Sequence, residues 1–388
     1  MTERDKTRLV HMARAPQTEE SGTVNPPVVR ASTVLYRDTE AMQSIRSRRE
    51  KNERVFSYGS RGTPTTFALE DAITEIEQGD RTNLFSTGLS AIAHVFLSVL
   101  KPGDHLLLSE SIYGPARAIA VRYLEPRGIA CEFYPGGHEE IAKRLRPDTR
   151  MIYLEIPGSI IYDMQDLPAI AKLVEGRNIV IAADNTWGAA GLYRPLALGA
   201  DISIIAITKY IAGHSDVMMG SVTAKGPIAE QLAFDAGLLG QTVTPDDAYL
   251  ALRGLRTVSA RFPMHVAHAK EVIAWLEKQP QVDKVLYPGL PSHPGYEIWK
   301  RDCAGQNGLL SVAFKKPIRQ ADVDRMVDHL KYFGLGASWG GYESLAMVYP
   351  EGGIKGWNGG ALVRLHIGLE DPADIIADLS QAFATLPA

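Results

Sequence analysis

From about residue 63 onward, short apolar runs alternate with longer amphipathic segments. Six runs have strand length, and the segments between them have helical spacing of apolar residues. The predicted strands are 83–85, 105–108, 130–133, 151–154, 179–183 and 202–206. The predicted helices are 70–77, 89–100, 115–126, 138–145 and 167–175. This alternation predicts an α/β fold with a large, mostly parallel sheet that is covered on both faces.

The pattern changes beyond about residue 245. A long helical stretch covers 245–278, followed by predicted strands 284–286, 309–314 and 362–366 and helices 321–330 and 372–383. These elements predict a smaller C-terminal α/β domain.

The first 58 residues show no such regularity, because prolines interrupt them and the segment 46–51 is a run of charges. We interpret them as a solvated loop or arm that reaches a neighbouring subunit. The predicted division is an N-terminal arm over 1–58, a cofactor-binding domain over 59–245 and a C-terminal domain over 246–388.

Composition restricts the class of partner. The chain has 388 residues, of which 45% are hydrophobic, and a net charge of −4. Such a balance leaves no basic excess for nucleic acid. The apolar run 91–100 is too short to span a membrane, and no metal-binding motif occurs. The only cysteines, Cys131 and Cys303, are far apart in the sequence, so we expect reduced thiols and a cytoplasmic protein.

Two polar residues follow apolar strands at the edge where open parallel sheets bind ligands. Asp184 follows the run 180–183, and Lys209 follows the run 202–207. A partly buried lysine has a lowered pKa and is a competent nucleophile. A lysine that forms an imine and a carboxylate that keeps a pyridine nitrogen protonated suit pyridoxal 5'-phosphate (PLP). The alternative for Asp184 alone is a helix cap.

A phosphate site is predicted where the segment 85–91 passes from strand to helix through Gly88. Backbone N–H groups at a helix start bind phosphate, although an ordinary strand–helix turn has the same sequence pattern. No G-x-G-x-x-G follows a strand anywhere in the chain, which argues against a dinucleotide site.

The segment around Lys209 resembles the PLP-attachment signature of the cysteine and methionine metabolism enzymes. The similarity continues through other segments, which are 26–27, 58–59, 184–187, 338–345 and 364–371. The resemblance implies the fold-type I architecture of PLP-dependent transferases and PLP as the cofactor. It also implies a homotetramer made of two dimers, with each site shared across a dimer.

The resemblance also implies residue roles. Lys209 would hold the cofactor as a Schiff base and act as acid and base, and Asp184 would pair with the pyridinium nitrogen. Tyr113 would stack on the ring, and Tyr58 would come from the neighbouring subunit; both count among the expected catalytic residues. The expected phosphate ligands are Gly88, Leu89, Thr208 and Tyr58. The expected ligands of the substrate carboxylate are Arg364, Ser338 and Trp339.

Local features are typical of the branch that performs β-elimination. Trp339 follows Ser338, the segment 155–159 resembles the β-lyase version of its loop, and Pro115 stands where methionine γ-lyases have cysteine. The expected reaction converts L-cystathionine to homocysteine, pyruvate and ammonia. The alternatives are a broad cysteine-conjugate β-lyase or cysteine desulfhydrase, a γ-lyase or γ-synthase, and a PLP-binding regulator with weak lyase activity.

The chain departs from the family at two positions. Ser60 stands where the family has an arginine that binds phosphate, and Ala206 replaces a frequent serine. We expect Arg61 to take the place of the missing arginine.

Overall fold

The structure is a computed structural model, and it describes residues 3–14, 21–350 and 352–387. Its larger sheet has seven strands in the order β1-β7-β6-β5-β4-β2-β3. The strands are β1 (Arg81–Phe85), β2 (His105–Ser109), β3 (Ala130–Tyr134), β4 (Thr149–Glu155), β5 (Val180–Asp184), β6 (Ile202–Ala206) and β7 (Gly220–Ala224). Strand β7 is antiparallel to both of its neighbours, and the other pairs are parallel.

The smaller sheet has five strands in the order β10-β11-β12-β9-β8. They are β8 (Val282–Leu286), β9 (Leu309–Phe314), β10 (Gly334–Leu335), β11 (Leu345–Val348) and β12 (Leu362–His366). The two sheets confirm the predicted fold class, a large, mostly parallel sheet with a smaller C-terminal α/β part.

The described part of the chain has twelve α-helices. They are α1 (Glu3–His11), α2 (Thr39–Glu50), α3 (Pro64–Glu77), α4 (Gly88–Val99), α5 (Gly114–Ile119), α6 (His138–Arg144), α7 (Leu167–Leu173), α8 (Pro227–Leu238), α9 (Pro245–Leu276), α10 (Tyr296–Asp302), α11 (Gln320–Asp328) and α12 (Pro372–Phe383). Across residues 3–14, 21–350 and 352–387, none of the helices has both the length and the apolar character of a membrane span.

The 32-residue helix α9 contributes to two hydrophobic cores. Its first half places Leu255 and Val258 in a cluster with Leu69 of α3. Its second half places Val272 in the core of the smaller sheet, with Val312 of β9. The predicted boundary between residues 245 and 246 falls at the start of this helix.

The charge run 46–51, interpreted from the sequence as part of a solvated loop or arm, lies mostly in helix α2. The loop was therefore wrong, and the arm stays a prediction. Asp38 caps the helix by accepting a hydrogen bond from the Ala41 N–H at 2.8 Å. Arg46 and Glu50 add an i,i+4 ion pair at 3.2 Å. None of the residues of α2 is buried, so it has no apolar stripe for a periodicity analysis to find.

Candidate functional site

The end of strand β5 fixes Asp184 at the mouth of the larger sheet. Its side chain is 7% exposed. One carboxylate oxygen accepts hydrogen bonds from the Thr186 N–H at 3.0 Å and the Thr186 hydroxyl at 2.6 Å, and Tyr153 lies 3.4 Å from the other oxygen. Asp184 therefore does not cap a helix. Burial raises the pKa of Asp184. The same burial would strengthen the attraction between the Asp184 carboxylate and a cation that docked on it.

Lys209 follows the neighbouring strand β6. Its Nζ atom donates a hydrogen bond to the Ser338 hydroxyl at 2.5 Å and lies 5.5 Å from the centre of the Trp339 ring. Burial, with the positive charge of Arg364, lowers the pKa of Lys209 from 10.5 to about 8, and Asp184 partly opposes this. The neutral, nucleophilic amine is therefore far more populated near neutral pH than it is for a surface lysine.

Arg364 comes from strand β12 of the smaller sheet and faces the lysine. Its guanidinium donates a hydrogen bond to the Ser338 backbone oxygen at 2.8 Å. Ser338 has φ 85°, a strained conformation for a residue with a side chain, of the kind that occurs at functional sites. Five residues thus lie together, which we call the sheet-end group: Lys209, Asp184, Arg364, Ser338 and Trp339. The strand-end pattern selected the first two, and the resemblance selected the other three.

Tyr113 lies at the rim of this group with 45% of its surface exposed. Its N–H donates a hydrogen bond to the Glu155 carboxylate at 2.6 Å. Burial and the negative charges of Glu155 and Asp184 raise the pKa of Tyr113, so its hydroxyl stays protonated.

Glu155 is a site residue that we did not place in the site from the sequence. It ends strand β4, and in the sheet it is paired directly with Asp184. Burial and the nearby Asp184 raise its pKa well above the usual value. The strand-end argument that selected Asp184 applies equally to Glu155 and would have found it.

The predicted phosphate cradle lies at the start of helix α4. Thr87 caps the helix by accepting a hydrogen bond from the Ser90 N–H at 2.9 Å. The N–H groups of Gly88 and Leu89 have no partner within the helix, because they belong to its first turn. A side chain on Gly88 would lie 2.7 Å from the Ala206 Cβ atom, so only glycine lets the helix start approach β6 this closely.

Thr208 comes directly before Lys209 in the chain. Its hydroxyl accepts a hydrogen bond from the Met219 N–H at 3.0 Å.

Three features of the described residues match the groups of PLP. The partly buried Lys209 amine matches its aldehyde, the buried Asp184 carboxylate matches its pyridine nitrogen, and the open N-terminus of helix α4 matches its phosphate. The residues present therefore fit the cofactor.

Tyr58 and Arg61, which we call the arm group, make no contact with Lys209 among the residues that the structure describes. Tyr58 is 49% exposed. Arg61 lies against Gly237 of helix α8 and lines a cavity with Arg81 at the start of strand β1, whereas the sheet-end group lies beyond the opposite end of the sheet's parallel strands.

The model of the Cys/Met metabolism PLP-dependent enzyme family matches residues 6–384. The chain belongs to this family. It is 43% identical over 384 residues to a cystathionine β-lyase of Bordetella avium, with 97% of this chain and 96% of the relative covered. It is 38% identical over 392 residues to cystathionine β-lyase MetC of Escherichia coli, with 98% of each covered.

Two further matches are a racemase and a solved structure. An L-alanine/L-glutamate racemase of Wolbachia pipientis is 37% identical over 380 residues, with 94% of each chain covered. The crystal structure of metB from Corynebacterium glutamicum superimposes with a TM-score of 0.88 at 31% identity, covering 98% of this chain and 97% of that one. The family and its full-length relatives confirm the predicted cofactor, PLP, and the predicted class, a carbon–sulfur lyase of the cystathionine β-lyase type.

Proposed function

We propose that the protein uses PLP and one water molecule to convert L-cystathionine to homocysteine, pyruvate and ammonia. The observation that carries this proposal is the partly buried Lys209 amine, which donates a hydrogen bond to Ser338 and feels the charges of both Arg364 and Asp184. The full-length relatives named cystathionine β-lyase support the choice of substrate.

Arg364 is the proposed ligand of the substrate α-carboxylate. Its planar guanidinium offers two parallel N–H donors to a carboxylate, which a point charge does not. One donor nitrogen is already directed by the Ser338 backbone oxygen, so the group is oriented before substrate arrives.

Lys209 is the proposed base and acid. With a pKa of about 8, its Nζ atom takes the α-proton as a neutral amine and returns a proton to the departing sulfur as an ammonium. PLP, when bound, supplies an electron-withdrawing ring for the electron pair left on the α-carbon. Ser338 accepts a hydrogen bond from the amine and limits its movement.

The other roles follow from position. Asp184 would hold the proton of the pyridine nitrogen, Tyr113 would cover one face of the ring, and Gly88, Leu89 and Thr208 would bind the phosphate. Trp339 would border the substrate, since its ring lies 5.5 Å from the Lys209 amine.

We further propose that the chain forms a homotetramer of two dimers and that the arm group completes the site of a neighbour. The half-exposed Tyr58 supports this. The free thiols of Cys131 and Cys303 support a cytoplasmic location.

The decisive assay incubates the purified holoenzyme with L-cystathionine and identifies both products. We expect pyruvate and homocysteine. A predominance of α-ketobutyrate and cysteine would show a γ-lyase, and pyruvate from cysteine but not from cystathionine would show a desulfhydrase. If neither cystathionine nor cysteine is turned over, a PLP-binding regulator is favoured.

Amino-acid racemisation is a second candidate activity, favoured by the 37% identical racemase. It needs the same removal of the α-proton but breaks no bond to sulfur. Incubation with L-alanine in deuterated water, followed by chiral analysis, tests it. Deuterated D-alanine at a rate similar to cystathionine cleavage would make the protein a racemase as well.

A further inference from the structure

Tyr210, the residue after Lys209, is completely buried and makes polar contacts with the smaller domain. Its hydroxyl accepts a hydrogen bond from the Gly308 N–H at 3.0 Å and lies 3.5 Å from Nδ1 of His366. Packing alone does not require this hydroxyl, because phenylalanine would fill the same space without a polar atom to desolvate.

His366 joins this tyrosine to a third segment. Its Nε2 atom lies 3.0 Å from the Gly341 backbone oxygen, so Nε2 carries the hydrogen and Nδ1 is free to accept one. Burial, with the nearby His265, lowers the pKa of His366 to about 3. The ring therefore stays neutral, and both contacts persist over the working pH range.

These contacts connect the segments that carry the site. Tyr210 follows Lys209, and His366 lies two residues after Arg364 on strand β12, so the two side chains point to the same face of the strand. Gly341 lies two residues after Trp339. The loop between them packs against the lysine, since a side chain on Gly340 would lie 2.8 Å from the Tyr210 backbone nitrogen.

The backbone of Tyr210 is fixed as well. The buried Arg261 donates a hydrogen bond to its carbonyl oxygen at 2.7 Å. The ring packs against Phe262 and Trp339, with centres 4.9 and 5.5 Å away. The residue next to the reactive lysine is therefore held at its carbonyl, its ring and its hydroxyl.

We infer that Tyr210 and His366 are a positioning pair that sets the Lys209 amine relative to the Arg364 guanidinium. They touch neither substrate nor cofactor, and they act by tying the end of strand β6 to strand β12 and to the loop of Ser338. The inference rests on the roles proposed for Lys209 and Arg364.

The test is Tyr210→Phe in the holoenzyme, with Tyr134→Phe as the matched control. Tyr134 of strand β3 is completely buried, and its hydroxyl donates one hydrogen bond to the Gln165 side-chain oxygen at 2.9 Å. Both substitutions remove one buried hydroxyl, but only Tyr210 adjoins the lysine.

We expect Tyr210→Phe to lower kcat/KM for cystathionine by about three- to tenfold, the range of one ordinary hydrogen bond. Part of the loss should appear in kcat, because the base is misplaced. The pH midpoint of the visible absorbance of the lysine-bound cofactor should move by about half a unit, or threefold in proton affinity. Tyr134→Phe should change the kinetic constants and this proton affinity by less than about twofold, at a similar loss of thermal stability.

A second variant tests the pairing itself. His366→Gln keeps a donor for the Gly341 oxygen and removes the acceptor that faces Tyr210. The double variant Tyr210→Phe/His366→Gln should be no worse than the poorer single variant, because the two residues share one interaction. If Tyr210→Phe gives no folded protein, the absorbance midpoint and kinetics of His366→Gln are compared with those of Tyr134→Phe instead.

Equal kinetics and equal absorbance midpoints in the Tyr210 and Tyr134 variants would overturn the inference, as would fully additive losses in the double variant. If the wild type turns over cystathionine, the proposed function holds, and these outcomes refute the positioning pair alone. An inactive wild type with a shifted midpoint in Tyr210→Phe would refute the substrate and keep the pair.

Discussion

The sheet-end group and the arm group differ in what fixes their side chains. Asp184 and Lys209 are held by hydrogen bonds and burial within one chain. Tyr58 instead is half exposed, and Arg61 lines a cavity. In the proposed function, the sheet-end group supplies the amine, the carboxylate and the guanidinium, and the arm group completes the site of a neighbour. We therefore expect truncation of a sheet-end side chain to reduce kcat/KM strongly and truncation of Arg61 to weaken cofactor binding.

The largest effect should come from Lys209→Ala. Removing the base and the imine-forming amine should reduce turnover by at least about a thousandfold. The variant should still bind PLP through its phosphate but lose the yellow colour of the lysine-bound cofactor. Stopped assays and visible spectra measure both. Lys225→Ala, at a lysine that bonds the Leu196 oxygen, is the control; near-normal activity in Lys209→Ala would refute the assignment.

Arg364→Ala should have the second-largest effect. Truncating one partner of a buried charge pair costs ~2–5 kcal/mol, or roughly thirtyfold to several thousandfold in kcat/KM. The loss should fall mainly on KM. Arg364→Lys should recover only part of it, since an ammonium cannot reproduce the planar fork. Unchanged steady-state kinetics in either variant would remove Arg364 from the substrate site.

Arg61→Ala tests the arm group and should have a smaller effect. If its guanidinium neutralises the phosphate across the dimer, the dissociation constant of PLP should rise about tenfold or more, the equivalent of a charge-assisted hydrogen bond. Release of PLP during dialysis measures this.

Ser60→Arg in the Arg61→Ala background should restore part of the binding. Arg49→Ala, in the same cavity, is the control and should retain PLP. If Arg61→Ala retains PLP as well as the wild type does, other groups neutralise the phosphate.

The smallest effect concerns stability beneath the sheet-end group. Glu77 accepts hydrogen bonds from the Asn185 side chain at 2.9 Å and the Ser203 hydroxyl at 2.5 Å, and burial raises its pKa from 4.5 to about 7. Between these values the folded chain binds more protons than the unfolded chain. Stability from this group is therefore complete below about pH 4.5 and is lost as the pH rises to 7.

Glutamine resembles the protonated acid. Glu77→Gln should therefore reduce the loss of folding stability with rising pH by roughly 1–3 kcal/mol. Urea denaturation at pH 5 and pH 8 measures it. Glu271→Gln, at an exposed position of α9, should leave the pH dependence unchanged. If the free energy of unfolding changes between pH 5 and pH 8 as much in Glu77→Gln as in the wild type, Glu77 is ionised in the folded protein.

The strand-end argument predicted the sheet-end residues of the larger sheet because adjacent parallel strands bring their carboxyl ends to one edge. The pattern of apolar runs missed strand β7, because Ser221 and Thr223 interrupt the run, although all five residues of the strand are buried. It also missed helix α2, which has no buried face. Arg364 and Ser338 were placed by resemblance, since no local pattern shows that a second sheet will deliver them to Lys209.

Helix α9 has a consequence for the order in which the chain is made. Its first half completes the packing around Leu69 and Ile73, and its second half belongs to a core whose strands β9 and β12 are translated later. The lysine thus leaves the ribosome long before the strand that carries its facing arginine. Until strand β12 docks, the growing chain has the proposed base without the proposed ligand of the substrate carboxylate, so we expect a chain that stops short of residue 364 to be inactive.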